Sequence, residues 1–156
     1  MSIYTAEIHW DNSDKGFLSG DYSRGHSWSF DGGLTVAASS SPQIVPEPMS
    51  VAANVDPEEA FVASISSCHM LWFLSLAAKA GIELKSYRDN AVGTMGRNDS
   101  KQLAMLKVEL NPIATLVGGQ TLERSIAEKI HTQAHRQCFI ANSVRTEILI
   151  HSGGML

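Results

Sequence analysis

The sequence has little of what binds nucleic acid or directs a chain out of the cell. Its 156 residues include 12 Lys and Arg against 16 Asp and Glu, and no run of five basic residues occurs. Phosphate-binding surfaces need clustered Lys and Arg, so we expect no nucleic-acid partner. The opening residues MSIYTAEIHW contain no basic segment followed by an apolar block. We therefore predict no secretory signal and expect a cytoplasmic location.

Cysteine is also scarce, since only Cys68 and Cys138 occur. In a chain without export signals, such cysteines are buried structural thiols, metal ligands or a redox pair. The sequence also lacks a glycine-rich phosphate loop, a series of βαβ units and internal repeats. What it has is 44% hydrophobic and 18% charged residues. This composition is typical of one compact domain, which we expect to cover residues 1–156.

The N-terminal third predicts strands and one long irregular segment. Residues 3–10 alternate between apolar and polar side chains, which predicts a half-buried strand. A polar loop follows over residues 11–26. Residues 27–36 alternate around Asp31-Gly32, a dipeptide typical of hairpin turns. Residues 39–55 contain three prolines and no periodicity, so we expect a lid or a dimer arm there.

The C-terminal half predicts a second hairpin, a shorter helix and a closing strand. Two strands are expected at residues 84–95 and 103–110, with Asn111-Pro112 perturbing the second. Residues 121–137 predict a helix whose apolar face carries Leu122, Ile126, Ile130 and Ala134. A strand over 144–150 and a frayed tail over 151–156 complete the chain. The fold class is therefore α+β, with antiparallel sheets around one long central helix.

That central helix is the segment DPEEAFVASISSCHMLWFLSLAAKAGI, residues 56–82. Asp56 followed by Pro57, Glu58 and Glu59 predicts a capping-box start, and Gly81 predicts the end. No charge occurs between residues 60 and 78, a length of roughly 28 Å, which is close to that of a membrane span. The polar Ser-Ser-Cys-His centre and the missing aromatic anchors favour a soluble protein with no membrane partner.

A helix that is apolar all round must be covered on most faces. One domain with few other helices has too little material to cover it. We therefore expect a homodimer in which this helix packs against strands of both subunits.

Several polar side chains have more than one interpretation at this point. Taken alone, Cys68 is more typical of a buried structural cysteine than of a nucleophile. The spacing of His131, His135 and Cys138 fits either a zinc site or a half-exposed helical face. Arg24, in the loop SRGHSW, is either a surface arginine or a group that stabilises an anion.

Two segments and their order resemble the OsmC/Ohr family of osmotically induced and organic hydroperoxide resistance proteins. DPEEAFVASISSCHMLWFL is similar to the family segment that leads from an Asp-Pro-Glu start to a reactive cysteine. AHRQCFIANSV resembles the segment around the second cysteine, and SRGHSW is similar to the early arginine loop. The resemblance covers nearly the whole chain in order.

The resemblance implies an intertwined homodimer and a cysteine-based peroxidase that uses no metal and no cofactor. It implies that Cys68 attacks an organic hydroperoxide, that Cys138 resolves the sulfenic acid as a disulfide, and that a dithiol of lipoyl or thioredoxin type restores both thiols. It assigns Arg24 to stabilising the thiolate and the peroxide, and Glu58 to holding Arg24. The alternative function is a non-catalytic module that binds a small hydrophobic ligand in a dimer-interface cavity.

The chain departs from the family pattern at His69, where better-known members commonly carry Phe, and after Cys138, where Cys-Pro is more usual. Helix geometry adds a constraint on Glu58. It lies about 15 Å along the helix from Cys68 and about 80° around it. Glu58 therefore reaches the thiol only through Arg24, through a bend, or from a second subunit.

Overall fold

The computed structural model describes residues 1–12 and 16–152. In chain order its elements are β1 Ala6–His9, β2 His26–Phe30, β3 Thr35–Ala38, α1 Pro57–Lys79, β4 Leu84–Asp89, β5 Val92–Arg97, β6 Leu103–Leu110, β7 Pro112–Leu116, α2 Arg124–Gln137 and β8 Glu147–Ile150. A 3-10 turn, Ala141–Ser143, lies between α2 and β8. The chain forms two compact units, Met1–Ala60 and a second that begins at Phe61. The α+β class is confirmed, and the single domain over residues 1–156 stays a prediction.

The first unit contains an antiparallel sheet in the order β1-β2-β3. The hairpin predicted at Asp31-Gly32 is confirmed, and Ser29 pairs with Thr35 across it. The turn closes through hydrogen bonds from Phe30 N–H to Leu34 O and from Gly33 N–H to Phe30 O, both 2.9 Å. Gly33 has a φ of 85°, a conformation that glycine adopts without steric cost.

Strand β1 is shorter than predicted and more open. All four of its residues are exposed, and Ile8 retains 59% of its accessible surface. The predicted half-burial is therefore wrong for the single chain, because nothing in the described chain covers the apolar face of this strand. Residues 13–15 of the predicted polar loop lie outside the described residues.

Residues 39–55 contain turns and one isolated bridge, as their lack of periodicity predicted. Ser39 N–H donates to Val55 O at 3.0 Å, and Val51 N–H donates to the Ser39 hydroxyl at 3.0 Å. A parallel bridge joins Ala38 to Val55. The segment thus leaves the end of β3 and returns to it.

The second unit contains two sheets, β4-β7 and β5-β6-β8. The single strand predicted over 84–95 is wrong, because the chain changes sheet between β4 and β5. Asp89 Oδ1 accepts the Asn111 N–H at 2.7 Å, and Asn111 Nδ2 donates to Asn90 O at 3.0 Å. These hydrogen bonds fix the position at which the chain passes from one sheet to the other. Strand β7 was not predicted, since Asn111-Pro112 was read only as a perturbation; proline is tolerated at the first residue of a strand.

The closing strand β8 is shorter than predicted and pairs in parallel with β6. His151 follows it and is not frayed, because its N–H donates to Leu110 O at 2.9 Å. Residues 153–156 of the predicted tail lie outside the described residues.

Helix α2 begins three residues later than predicted, and its buried face is rotated from the predicted one. Ile130 and Ala134 are buried as expected, whereas Ile126 is 37% exposed. Ala127 and His131 take its place on the buried face. The core of this unit has two clusters. One contains Phe73, Ala77, Ala114, Ile130 and Ala134, and the other contains Ile65, Val108 and Leu110.

Candidate functional site

The site is built on α1, whose ends follow the predicted signals. Asp56 Oδ1 accepts the Glu59 N–H at 2.7 Å, and Glu59 Oε2 accepts the Asp56 N–H at 3.4 Å, which confirms the capping box. At the other end, Gly81 has a φ of 72° and Ile82 N–H donates to Ala77 O at 3.0 Å. The helix is therefore fixed at both ends by local chemistry.

The buried residues of α1 recur at every fourth position and form one narrow stripe. They are Ile65, His69, Phe73 and Ala77. Positions four apart lie on the same helical face, so this stripe is the side that packs into the second unit. Phe73 and Ala77 belong to the cluster with α2, whereas Ile65 packs with β6.

Outside this stripe, the large apolar side chains of α1 are half-buried in the single chain, and Leu71 is exposed. Leu71 is 60% exposed, and only 22% of the most apolar 18-residue window is buried. By length and composition alone, α1 is the one described helix that could cross a membrane. An exposed apolar surface of this extent marks a site of association.

Cys68 and Cys138 come together in the second unit. Cys138 follows α2 directly, is fully buried, and donates its N–H to Ala134 O at 2.9 Å. Cys68 is partly exposed, and both thiols are free. Burial raises the pKa of Cys138 to about 11, with a further contribution from the neighbouring Cys68 thiol. The arrangement is one accessible thiol beside one buried thiol.

The serines before Cys68 have defined hydrogen bonds. Ser64 Oγ donates to Phe61 O at 2.8 Å, inside the helix. Ser66 Oγ donates to Asp89 Oδ2 at 2.5 Å, which ties α1 to the end of β4. Small serine side chains therefore allow close approach of the sheet to the helix at this point.

Trp72 of α1 and Phe139 form an edge-to-face pair with ring centroids 5.5 Å apart. Phe139 follows Cys138 directly and is 67% exposed. These two rings place aromatic surface close to both cysteines.

His69, whose role the sequence left open, pairs with His131 of α2. His69 Nε2 lies 2.9 Å from His131 Nδ1, and the rings stack with centroids 5.2 Å apart. His131 also stacks on Phe73 at 4.2 Å. Burial lowers the pKa of His131 to about 4. Burial, His131 and His135 lower the pKa of His69 to about 3, so both rings are neutral at pH 7.

Sequence reasoning missed this pair. The half-exposed face expected for His131 is wrong, because His131 is only 4% exposed and its ring contacts α1. Among residues 1–12 and 16–152, no group of three or more His, Cys, Asp or Glu side chains could hold a metal ion. The available signal was the four-residue spacing of His69 from Ile65 and Phe73, which places it on the buried stripe.

Arg24 lies in the first unit, where its guanidinium is held by its own loop. Nη1 donates to Gly20 O at 2.7 Å and also to Tyr22 O, and Cζ lies 3.7 Å from the centroid of the Tyr22 ring. The Arg24 N–H donates to Met49 O at 2.7 Å. The loop thus fixes both the backbone and the side chain of this arginine.

Glu58 lies in the first turn of α1, where its charge suits the helix dipole. No ion pair joins it to Arg24 in the part of the chain that the structure describes, because Arg24 donates to carbonyl groups instead. The predicted partnership between Glu58 and Arg24 is therefore not formed in the single chain, and it stays a prediction.

Two cavities border α2. The larger, about 510 Å³, is lined mainly by polar side chains that include Glu128, His135 and Arg136. The smaller, about 260 Å³, is lined by Pro112, Ile113, Ala114, Leu122 and Ala127 together with polar groups. His131 lines both, so it lies between an apolar cavity and a polar one.

The family follows from comparison with known proteins. The family profile described as OsmC-like protein matches residues 51–152, which include both cysteines. The chain belongs to the OsmC family. No match is found among curated proteins. An OsmC-like protein of unknown function from Vibrio cholerae is 49% identical, with a TM-score of 0.92 over 97% of this chain and 99% of that one.

Two more distant OsmC/Ohr structures share the fold. An organic hydroperoxide resistance protein from Elizabethkingia anophelis is 17% identical, with a TM-score of 0.70 over 96% of this chain and 93% of that chain. OhrB, the organic hydroperoxide resistance protein of Bacillus subtilis, is 16% identical, with a TM-score of 0.64 over 96% and 97%. The predicted OsmC/Ohr resemblance and fold are thereby confirmed.

Proposed function

We propose that this OsmC family chain is a cysteine-based peroxidase that reduces organic hydroperoxides to alcohols in oxidative stress defence. The observation that carries the proposal is the proximity of a partly exposed Cys68 to a fully buried Cys138, close enough for Cys68 to raise the pKa of Cys138. A thiol that oxidises needs access to its substrate, and a thiol that resolves needs only access to the first sulfur. The partly exposed Cys68 suits the first role, and the buried Cys138 suits the second.

The chemistry balances with these two residues and one external reductant. The Cys68 thiolate attacks a peroxide oxygen, the S–O bond forms, the O–O bond breaks, and the alcohol leaves after taking a proton. The Cys138 sulfur then bonds to the Cys68 sulfur, and the hydroxyl leaves as water with the Cys138 proton. A dithiol of lipoyl or thioredoxin type returns two electrons and two protons to the pair.

The order of the two cysteines follows from their surroundings. The raised pKa of Cys138, about 11, keeps it a thiol at neutral pH, and it has no exposed surface for an incoming peroxide. Cys68 has exposed surface and lies near the Trp72 and Phe139 rings, which suit an organic rather than a hydrophilic peroxide. We therefore assign Cys68 as the peroxidatic cysteine and Cys138 as the resolving cysteine.

We assign Arg24 to stabilising the thiolate and Glu58 to holding Arg24, on the family resemblance. The Arg24 guanidinium keeps donors free after its bonds to the Gly20 and Tyr22 carbonyls, since a guanidinium carries five N–H groups. Its fixed loop favours a positioned cation over a freely rotating surface arginine.

The working form we propose is an intertwined homodimer in the cytoplasm. Support comes from two uncovered surfaces of the single chain, the apolar flank of α1 around Leu71 and both faces of β1. A second copy would cover both surfaces. Light scattering at micromolar concentration is expected to give twice the chain mass of 16.9 kDa, and a monomer would contradict the proposal.

The proposed activity is tested by turnover of cumene hydroperoxide and hydrogen peroxide, with dihydrolipoamide and thioredoxin compared as reductants. We expect the organic peroxide to be preferred and both thiols to be lost together as a Cys68–Cys138 disulfide. Cys138→Ser is the matched variant, because it should leave Cys68 trapped as a sulfenic acid. A wild-type chain that consumes no organic hydroperoxide and forms no disulfide would exclude this function.

The alternative function is a binding module for a small hydrophobic ligand. The partly apolar cavity beside Ala114 and Ala127 is the observation in its favour. Native mass spectrometry of the purified protein distinguishes the two functions, since a retained apolar ligand together with no peroxide consumption would favour the module.

A further inference from the structure

Each of the two helices carries one histidine in a buried stripe that is otherwise apolar. On α1 the stripe is Ile65, His69, Phe73 and Ala77. On α2 it is Ala127, Ile130, His131 and Ala134. The two histidines meet each other at 2.9 Å and are 1% and 4% exposed. One polar pair therefore sits in the middle of an apolar contact between two helices.

Such a pair makes one alignment of the helices better than its neighbours. Sliding α1 by one turn, about 6 Å, would set His69 against apolar side chains and leave both imidazoles buried without a partner. A buried polar group without a hydrogen bond is costly, whereas apolar side chains accept several alignments with little difference. A single buried polar contact fixes helix register in coiled coils by the same physics.

The register bears directly on the thiols. Cys68 is the chain neighbour of His69, and Cys138 follows His131 by about two helical turns. A disulfide forms only when the two Cα atoms are about 4.4–6.8 Å apart. A slip of one turn would exceed this window. The alignment that pairs the histidines is also the one in which Cys68 lies close enough to Cys138 to affect its pKa.

We propose that the His69–His131 hydrogen bond locks the register of α1 against α2 and thereby positions Cys68 for disulfide formation with Cys138. Both histidines are positioning residues, since they act through the helices and not on the substrate. The inference deepens the proposed peroxidase, because it concerns the step after peroxide attack. The thiol pairing itself can be measured without any peroxide.

The test is the equilibrium between the Cys68–Cys138 disulfide and a glutathione redox buffer, measured on the full chain. Oxidised glutathione accepts two electrons and the two thiol protons, so the disulfide forms and two molecules of reduced glutathione are released. The equilibrium constant reports the effective concentration of one thiol at the other. Thermal unfolding of the reduced protein is recorded in parallel.

The decisive variant is the double substitution His69→Phe with His131→Phe. Phenyl rings nearly match imidazole in size, so the double variant keeps the packing and leaves no unpaired imidazole in the core. We expect its unfolding temperature to equal or exceed that of the wild type, while the disulfide equilibrium constant falls about tenfold. If the two histidines only stabilised the fold, the unfolding temperature and the disulfide equilibrium constant would fall together.

Two further variants serve as controls for the double variant. His69→Gln keeps an amide within reach of His131 Nδ1 and is expected to stay within threefold of the wild-type equilibrium. Ile65→Val shortens an apolar side chain one turn earlier on the same stripe, and it is expected to lower stability with less than a twofold change in thiol pairing.

The register lock would be overturned if the double variant had the same disulfide equilibrium constant as the wild type. It would also be overturned if the wild type formed no disulfide in the glutathione buffer. A chain that pairs its thiols in glutathione but consumes no cumene hydroperoxide would contradict the peroxidase and support the lock. With active protein, the lock predicts that peroxide oxidises Cys68 at the wild-type rate in the double variant while disulfide closure slows about tenfold.

Discussion

Two side-chain pairs join α1 to α2, and they differ in access to solvent. The Cys68–Cys138 pair has one exposed member and one buried member, whereas both rings of the His69–His131 pair are buried. The thiol pair is therefore partly open to solvent, whereas the imidazole pair is enclosed, with His131 lining the two cavities beside α2. This difference in exposure suits the thiols to the proposed chemistry and the histidines to the proposed alignment, although Cys68 and His69 are neighbours in the chain.

The largest expected effect comes from removing the accessible thiol. Cys68→Ser should reduce peroxidase turnover by about 1000-fold or more, because no other described thiol has exposed surface. Cys138→Ser should retain one rapid oxidation per chain and then stop. Stopped-flow measurement of single-turnover peroxide consumption separates the two, and equal loss of that first oxidation in both variants would contradict the assignment.

Acid should break the imidazole pair before it affects the thiol pair. Unfolded histidine titrates near pH 6.5, whereas the folded pKa values are lowered to about 3 and about 4. Between these limits the unfolded chain binds more protons, so the free energy of unfolding is highest above pH 6.5 and falls as the pH falls. We expect a loss of about 5 kcal/mol between pH 7 and pH 4.5 in urea unfolding, summed over the two histidines.

The control for the acid effect is the double phenylalanine variant, which has nothing to titrate at either position. It should lose much less stability over the same pH range. If its pH dependence matches that of the wild type, carboxylates and not the imidazole pair govern the acid response.

Crowding the contact between β5 and the N-terminal half of α1 should cost stability without affecting thiol pairing. A Cβ added at Gly93 of β5 would lie 2.6 Å from Val62 Cγ2 and 2.7 Å from Met105 Sδ. We expect Gly93→Ala to lower the free energy of unfolding by about 1–3 kcal/mol, with the disulfide equilibrium within twofold of wild type. Gly32→Ala is the control, because nothing lies within 4 Å of its added Cβ.

The smallest effect is expected at the helix cap. Glu58→Gln should lower turnover about threefold to tenfold, because Glu58 is proposed to act through Arg24 and not on the thiol. Steady-state kinetics with cumene hydroperoxide measure this ratio. A loss as large as that of Cys68→Ser would place Glu58 in direct contact with the reacting atoms.

Local signals predicted much of this fold. The capping box at Asp56, the helix end at Gly81 and the hairpin at Asp31 all depend on residues close in sequence, and each is found. The break at Asn90 and strand β7 were missed because they depend on Asp89 binding Asn111, a contact between distant segments. Periodicity describes one element at a time and does not show where a chain changes sheet.

The same distinction between local signals and contacts of distant segments applies to the candidate site. The family resemblance proposed Cys68 and Cys138 as partners, and the structure brings their thiols together. The spacing of His131, His135 and Cys138 predicts either a zinc site or a half-exposed helical face, because it cannot show that the partner of His131 lies on a different helix. Only tertiary packing shows that His69 Nε2 and His131 Nδ1 form a hydrogen bond.

The order of elements along the chain has a consequence for synthesis. The uncharged run of α1 leaves the ribosome before β6 and α2, whose Val108, Leu110, Ile130 and Ala134 cover its buried stripe. Domains fold as units once their parts are present, and exposed apolar segments of a nascent chain invite aggregation until then. The apolar surface of α1 therefore stays uncovered until most of the second unit has been synthesised.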